Sequence, residues 1–236
     1  MNCARCGTWS CSSLDGRYPE VCPTANPTPA QAQALAEARL TYDDPAVRDL
    51  AHAAAWVEKT GYCQWSRLEE TIELARRMGY SHLGIACCVG LRREAAVVSR
   101  VLEDCGFAVS VAVCKVGAVA KDDIGVPAES QFRPGESETM CNSVGQAALL
   151  AVNGCQLNLV VGLCVGHDTL FMGESFRRGV PATVLIAKDR VTGHNPVAAV
   201  YCASSYFAAR LASHRLPPSA SDEAGARAGD QKGEPA

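Results

Sequence analysis

The sequence predicts an α/β protein: an open, mostly parallel sheet of about four to five strands, doubly wound and Rossmann-like, with helices on both faces. Short apolar runs rich in β-branched residues occur at residues 82–88, 107–114, 157–164 and 182–187. Most of them are separated by stretches of helical periodicity, the pattern of βαβ units. The runs are apolar throughout rather than alternating, as expected for strands covered on both sides.

Four regions follow one another along the chain. Residues 1–27 contain four cysteines and three prolines but little periodicity, so a constraint other than a core must order them. Residues 28–61 read as two helices. Thr28-Pro29-Ala30-Gln31 supplies an N-cap, a proline at the first helical position and a capping-box glutamine. Asp44-Pro45 restarts a helix that stops at Gly61. Residues 62–212 form the α/β domain. In it, Ser66 and Glu69 make a capping box for a helix ending at Gly79, and His82 to Cys88 is the first strand. A helix from Arg92 to Cys105 has Ala95, Val98 and Leu102 on one face, and Phe107 to Cys114 is the second strand. Ser143-Val144-Gly145-Gln146 caps the next helix, and Leu157 to Cys164 is the third strand. Asp168, as N-cap, opens another helix before the fourth strand, Ala182 to Ala187. Residues 213–236 lack apolar periodicity and are expected to be a disordered tail.

The chain of 236 residues has a formal net charge of -3. That implies no basic nucleic-acid surface, and because the residues flanking the N-terminal cysteines are not basic, no nucleic-acid partner is expected. Its longest apolar runs fall short of the roughly 18 residues of a membrane helix. The start has no apolar signal segment, and a cytoplasmic location is expected. Thirteen cysteines are too few for a disulfide scaffold, which needs roughly 8–10%. In a reducing compartment they point to metal binding or thiol chemistry.

Cys3-x2-Cys6-x4-Cys11-x10-Cys22 places four soft ligands within twenty residues, the makings of a zinc or iron–sulfur site whose binding energy would order the segment. A second set comes from the strands. Cys87 and Cys88 end the first, Cys114 the second and Cys164 the third. In open parallel sheets ligands gather beyond the carboxyl ends of the strands. Cys141 joins them from just before a helix start, where amide dipoles favour a thiolate. Free cysteine is also a common core residue; Cys63, Cys105, Cys155 and Cys202 read as structural. His167, Lys188 and Asp189 are expected at the same edge as acid–base or charge-bearing groups, with Lys115 and Lys121 adding positive charge and His194 following soon after. The loop 125–140 is long for such a fold, as lids and ligand-bearing segments are. No G-x-G-x-x-G or P-loop pattern supports a nucleotide site.

The string Val160-Val161-Gly162-Leu163-Cys164-Val165-Gly166-His167-Asp168 resembles the DUF1847 family. So do Met140-Cys141-Asn142, Cys114-Lys115 and Lys188-Asp189-Arg190-Val191 with His194-Asn195-Pro196-Val197-Ala198. The opening cysteines are similar to that family's start. The resemblance implies cysteine-based metal binding in a soluble bacterial or archaeal protein, and no reaction. This chain has Cys87-Cys88 where a single cysteine is expected, and Cys88, nearer the strand end, is favoured as the ligand.

The leading expectation is a metalloprotein with an N-terminal four-cysteine site and a strand-end thiolate site holding zinc or an iron–sulfur cluster, for redox or sulfur-transfer chemistry with a small-molecule or redox partner. One alternative is an enzyme with Cys141 or Cys164 as nucleophile and His167 as base. Another is a metal sensor or carrier without catalysis.

Overall fold

A computed structural model describes residues 2–13 and 16–215. The expected tail from 213 onward therefore falls, after Arg215, outside the described residues. The chain divides into two compact units, residues 1–81 and 82–236.

The first unit begins with two single turns, Cys3–Arg5 and Ser10–Ser12, followed by α1 (Pro29–Thr41), α2 (Pro45–Gly61) and α3 (Arg67–Arg77). The capping signals hold: Thr28 N–H donates to Gln31 Oε1 at 2.9 Å, Ala46 N–H to Asp44 at 2.8 Å, and Ser66 N–H to Glu69 at 2.7 Å. α3, grouped with the strands in the sequence, belongs to this unit. Its Arg77 guanidinium lies 4.4 Å over the Trp56 ring of α2, and Trp56 meets Trp65 with ring centroids 6.0 Å apart. Gly61 ends α2 against that tryptophan; a Cβ there would lie 2.3 Å from the Trp65 ring.

The second unit runs β1 (His82–Cys87), α4 (Arg92–Asp104), β2 (Ala108–Val113), α5 (Ser143–Val152), β3 (Leu157–Val161), α6 (His167–Arg177), β4 (Ala182–Ile186), α7 (Val197–Tyr201) and α8 (Ala208–Ala212). The four strands are parallel in the order β2-β1-β3-β4. The central pair carries the core, with Leu83, Ile85, Leu159 and Val160 all but inaccessible. α4 buries Ala95, Val98 and Leu102, the face its periodicity predicts. The chain moves one way from β1 to β2 and the other way from β2 to β3 and β4. Right-handed crossovers therefore put α4 on one face and α5 with α6 on the other, and α5 and α6 pack side by side. This is an open doubly wound sheet whose direction switches between β1 and β3, the place where such sheets hold ligands.

β1 and β2 stop one residue short of Cys88 and Cys114, which therefore follow the strands and do not end them. The ends of the elements differ from expectation in three further places. Asn142, not Ser143, caps α5, its side chain accepting from Gly145 N–H at 2.8 Å. Gln146 leaves the capping role and runs under the sheet instead. Gly166, not Asp168, is the N-cap of α6; it takes φ +86, leaving Asp168 in the first turn to accept from Thr169 N–H at 2.8 Å. β3 stops at Val161 because Gly162 turns to φ +66, where a Cβ would lie 2.4 Å from Leu91 Cδ2. Cys164 thus sits in the loop beyond β3, not on it.

Candidate functional site

The carboxyl edge of the sheet collects a line of sulfurs. Cys88 follows β1 directly, its N–H donating to Val161 O at 3.3 Å. Cys114 follows β2 and is tied to β1 by its N–H, which donates to Cys87 O at 2.9 Å. Asn142 N–H donates to Cys114 O at 2.7 Å, so the approach to α5 lies across the end of β2 and brings Cys141 to Cys114. The Cys114 and Cys141 sulfurs are hydrogen-bonded at 3.8 Å. Cys114 also faces the Cys88 thiol and accepts from Val89 N–H at 3.4 Å. From below, Gln146 Nε2 donates to Cys87 O at 3.1 Å and to Ala112 O at 2.7 Å. That buried amide pins the ends of β1 and β2 together.

Cations stand at both ends of the line. Lys188 reaches from the loop after β4 to place Nζ 2.6 Å from Cys88 Sγ. Lys115 and His167 face Cys141, and Lys115 Nζ also donates to Thr139 O at 2.6 Å. The charges follow from these neighbours. The bond with Cys114 pulls the Cys141 thiol down to about 5 against its burial, helped by the charges of Lys115 and His167. Cys114 is the counterpart, pushed up by Cys141 and by burial. The two thiols therefore share one proton between them. Burial raises the Cys88 thiol, but Lys188, the Gly90 N–H and Cys114 together more than offset it and bring the group below its ordinary value.

Other expected residues lie apart from this line. Cys87 points into the core at 1% exposure, and burial pushes its thiol up. Of the two adjacent cysteines, Cys88 is the one facing the other sulfurs. Cys164 pairs with Arg190, whose guanidinium lies 2.9 Å from its sulfur. Asp189 shapes its own loop, accepting from Val191 N–H at 2.8 Å and Thr192 N–H at 3.0 Å, while its N–H donates to His194 Nδ1 at 3.2 Å. Thr192 holds its carboxyl below the usual range. Lys121 is buried in an ion pair with Glu138. The base of the loop that precedes Cys141 is closed by that pair and by the bridge between Ala120 and Thr139. Sequence patterning does not single out Gln146 or Arg190 as site residues. Gln146 matches half of a capping box, and Arg190 ends a charge triplet of the kind that loops expose to solvent.

In the first unit, Cys3, Cys6 and Cys22 line one hollow of about 650 Å³; Cys11 is not among its lining residues. Thr8, through side chain and backbone, and the Trp9 N–H lower the Cys6 thiol. Thr24 and Ala25 N–H groups do the same for Cys22. Each sulfur is thus served by amides two and three residues further on, and the two sulfurs lie close enough to repel as thiolates.

Among the described residues, no group of three or more His, Cys, Asp or Glu side chains is arranged to enclose a metal ion. No helix among them is long and apolar enough to cross a membrane.

The model of the DUF1847 family, described as a protein of unknown function, matches residues 26–185. That stretch contains Cys88, Cys114, Cys141, Cys164 and His167; it begins after Cys22 and ends before Lys188. An uncharacterized protein of Methanocaldococcus jannaschii is 41% identical over 162 residues, covering 69% of this chain and 79% of its own length. No solved structure matches.

Proposed function

The chain belongs to the DUF1847 family of proteins of unknown function, and we propose that it is a cysteine-ligated metalloprotein whose main centre lies at the carboxyl edge of the sheet. Cys88, Cys114 and Cys141 would hold the metal; Cys164, the fourth expected ligand, is paired with Arg190 instead. The observation that carries this is the Cys114–Cys141 sulfur separation of 3.8 Å. Metal–thiolate bonds of about 2.3 Å in a tetrahedron put neighbouring sulfurs about 3.8 Å apart. Such a separation suits two thiolates on one atom, as in a zinc site or on one iron of a small iron–sulfur cluster. The amide of Val89, and Lys188 at Cys88, are partners that steady anionic sulfur.

The hollow of Cys3, Cys6 and Cys22 supports a second, structural site, since two of its sulfurs receive paired backbone N–H groups. Cys11 would complete the set of four. Zinc at the sheet edge would supply Lewis acidity and a cluster would supply electron transfer, in keeping with redox or sulfur-transfer chemistry. Metal analysis with acid-labile sulfide on anaerobically purified protein tests the proposal. Stoichiometric zinc, or iron matched by sulfide, supports it; protein with neither overturns it.

A second reading is favoured by the Cys141 thiol at about 5. It stands just before α5 with His167 near, as an activated nucleophile would. Fast, selective alkylation of Cys141 by iodoacetamide in metal-free protein would support it; slow, uniform labelling of all cysteines would overturn it.

A further inference from the structure

We propose that Cys114 and Cys141 form a redox-active dithiol in the metal-free chain, closing to an intramolecular disulfide when the protein meets a low-molecular-weight disulfide. Two features of the fold support this, and neither depends on the thiols binding metal. The sulfurs are already 3.8 Å apart. A disulfide bond of about 2.05 Å thus needs a sulfur displacement of less than the length of one bond. The backbones are fixed to each other by the hydrogen bond from Asn142 N–H to Cys114 O at 2.7 Å, so closure is a matter of side-chain rotation.

The two thiols differ in access, which assigns their roles. Cys114 is 2% exposed, whereas Cys141 is partly open. Cys141 is the sulfur an outside disulfide can reach. Its thiolate attacks one sulfur of R–S–S–R, forming the Cys141–S–S–R bond and releasing R–S⁻. Cys114 then attacks the Cys141 sulfur; its proton leaves with the second R–S group as R–SH. The protein loses two electrons and one proton overall, and the small disulfide is reduced to one thiolate and one thiol. Cys88 also faces Cys114 but is held by Lys188 at 2.6 Å. Cys141 is the better partner.

The test treats the full chain, stripped of metal by chelation, with glutathione disulfide and maps its peptides under non-reducing conditions. The expected product is a Cys114–Cys141 linkage that forms before glutathione accumulates on exposed Cys63. Cys114→Ser should trap a lasting glutathione adduct on Cys141, and Cys141→Ser should abolish both products. A Cys88–Cys114 linkage, scrambled pairs, or labelling of Cys63 first would overturn the proposal. Wild-type mapping decides it even where a variant folds poorly. Metal content is measured separately, so failure here leaves the metal proposal standing.

Discussion

Lys188 Nζ lies 2.6 Å from Cys88 Sγ, although a hundred positions separate the two residues. β4 and β1 are not neighbours; β3 lies between them. The contact is made over the end of β3, across the place where the sheet reverses its direction of growth.

Removing that ammonium should release the thiol. Lys188→Met takes away the largest favourable partner of the Cys88 thiolate and leaves burial, which raises the thiol, opposed only by the Gly90 N–H and Cys114. In metal-free protein the Cys88 titration, followed by thiolate absorbance in the ultraviolet, should move to higher pH. Its alkylation rate at neutral pH should fall. An unchanged titration would show that the contact has no electrostatic consequence.

Stability should depend on pH through Cys141. Its folded value of about 5 lies below the ordinary 9.0. Between those limits the unfolded chain carries a proton that the folded chain lacks, so stability rises with pH there and is lost as pH falls through about 5. Cys114 is shifted the opposite way; above about 9 the folded chain keeps a proton that the unfolded chain loses, and stability should decline. Cys141→Ser should flatten the rise. Thermal melts of both chelated proteins across this range check it, and parallel curves would count against the shared proton.

Gly162→Ala should destabilise the fold. Position 162 has φ +66, and the new Cβ would meet Leu91 at 2.4 Å. Left-handed strain alone costs about 1–3 kcal/mol, and the clash adds to it. A denaturation midpoint equal to wild type would mean that the turn after β3 relaxes freely.

Gln146→Leu should cost about 1 kcal/mol, because two buried carbonyls lose a shared donor although Cys87 O keeps the Cys114 N–H. Those carbonyls belong to Cys87 and Ala112. The loss should loosen the ends of β1 and β2 and speed Cys114 alkylation. A stable variant with an inert Cys114 would show that Gln146 does not hold the site.

Much of this could be read from the sequence because it is local. The Thr28, Asp44 and Ser66 caps depend on residues a turn apart, and the strands declare themselves as apolar runs. Cys88, Cys114 and Cys141 could be nominated because parallel strands all point their carboxyl ends one way. Strand order is another matter. Periodicity does not encode β2-β1-β3-β4, so the Lys188–Cys88 contact could only be expected in outline. Gln146 was hidden by ambiguity: Ser143 and Gln146 match a capping box, yet Asn142 takes the cap and frees the glutamine for the sheet. Gly162 has a similar effect, ending β3 early and moving Cys164 to Arg190 rather than to the sulfur line.

The central claim is that the strand-end thiols hold a soft metal, and metal stoichiometry of the wild-type chain beside Cys114→Ser/Cys141→Ser tests it most directly. Both should be prepared anaerobically and analysed for zinc, iron and acid-labile sulfide. The proposal predicts that the double variant loses the strand-end metal and keeps only the complement of the N-terminal hollow. Equal metal content in the two proteins would contradict it.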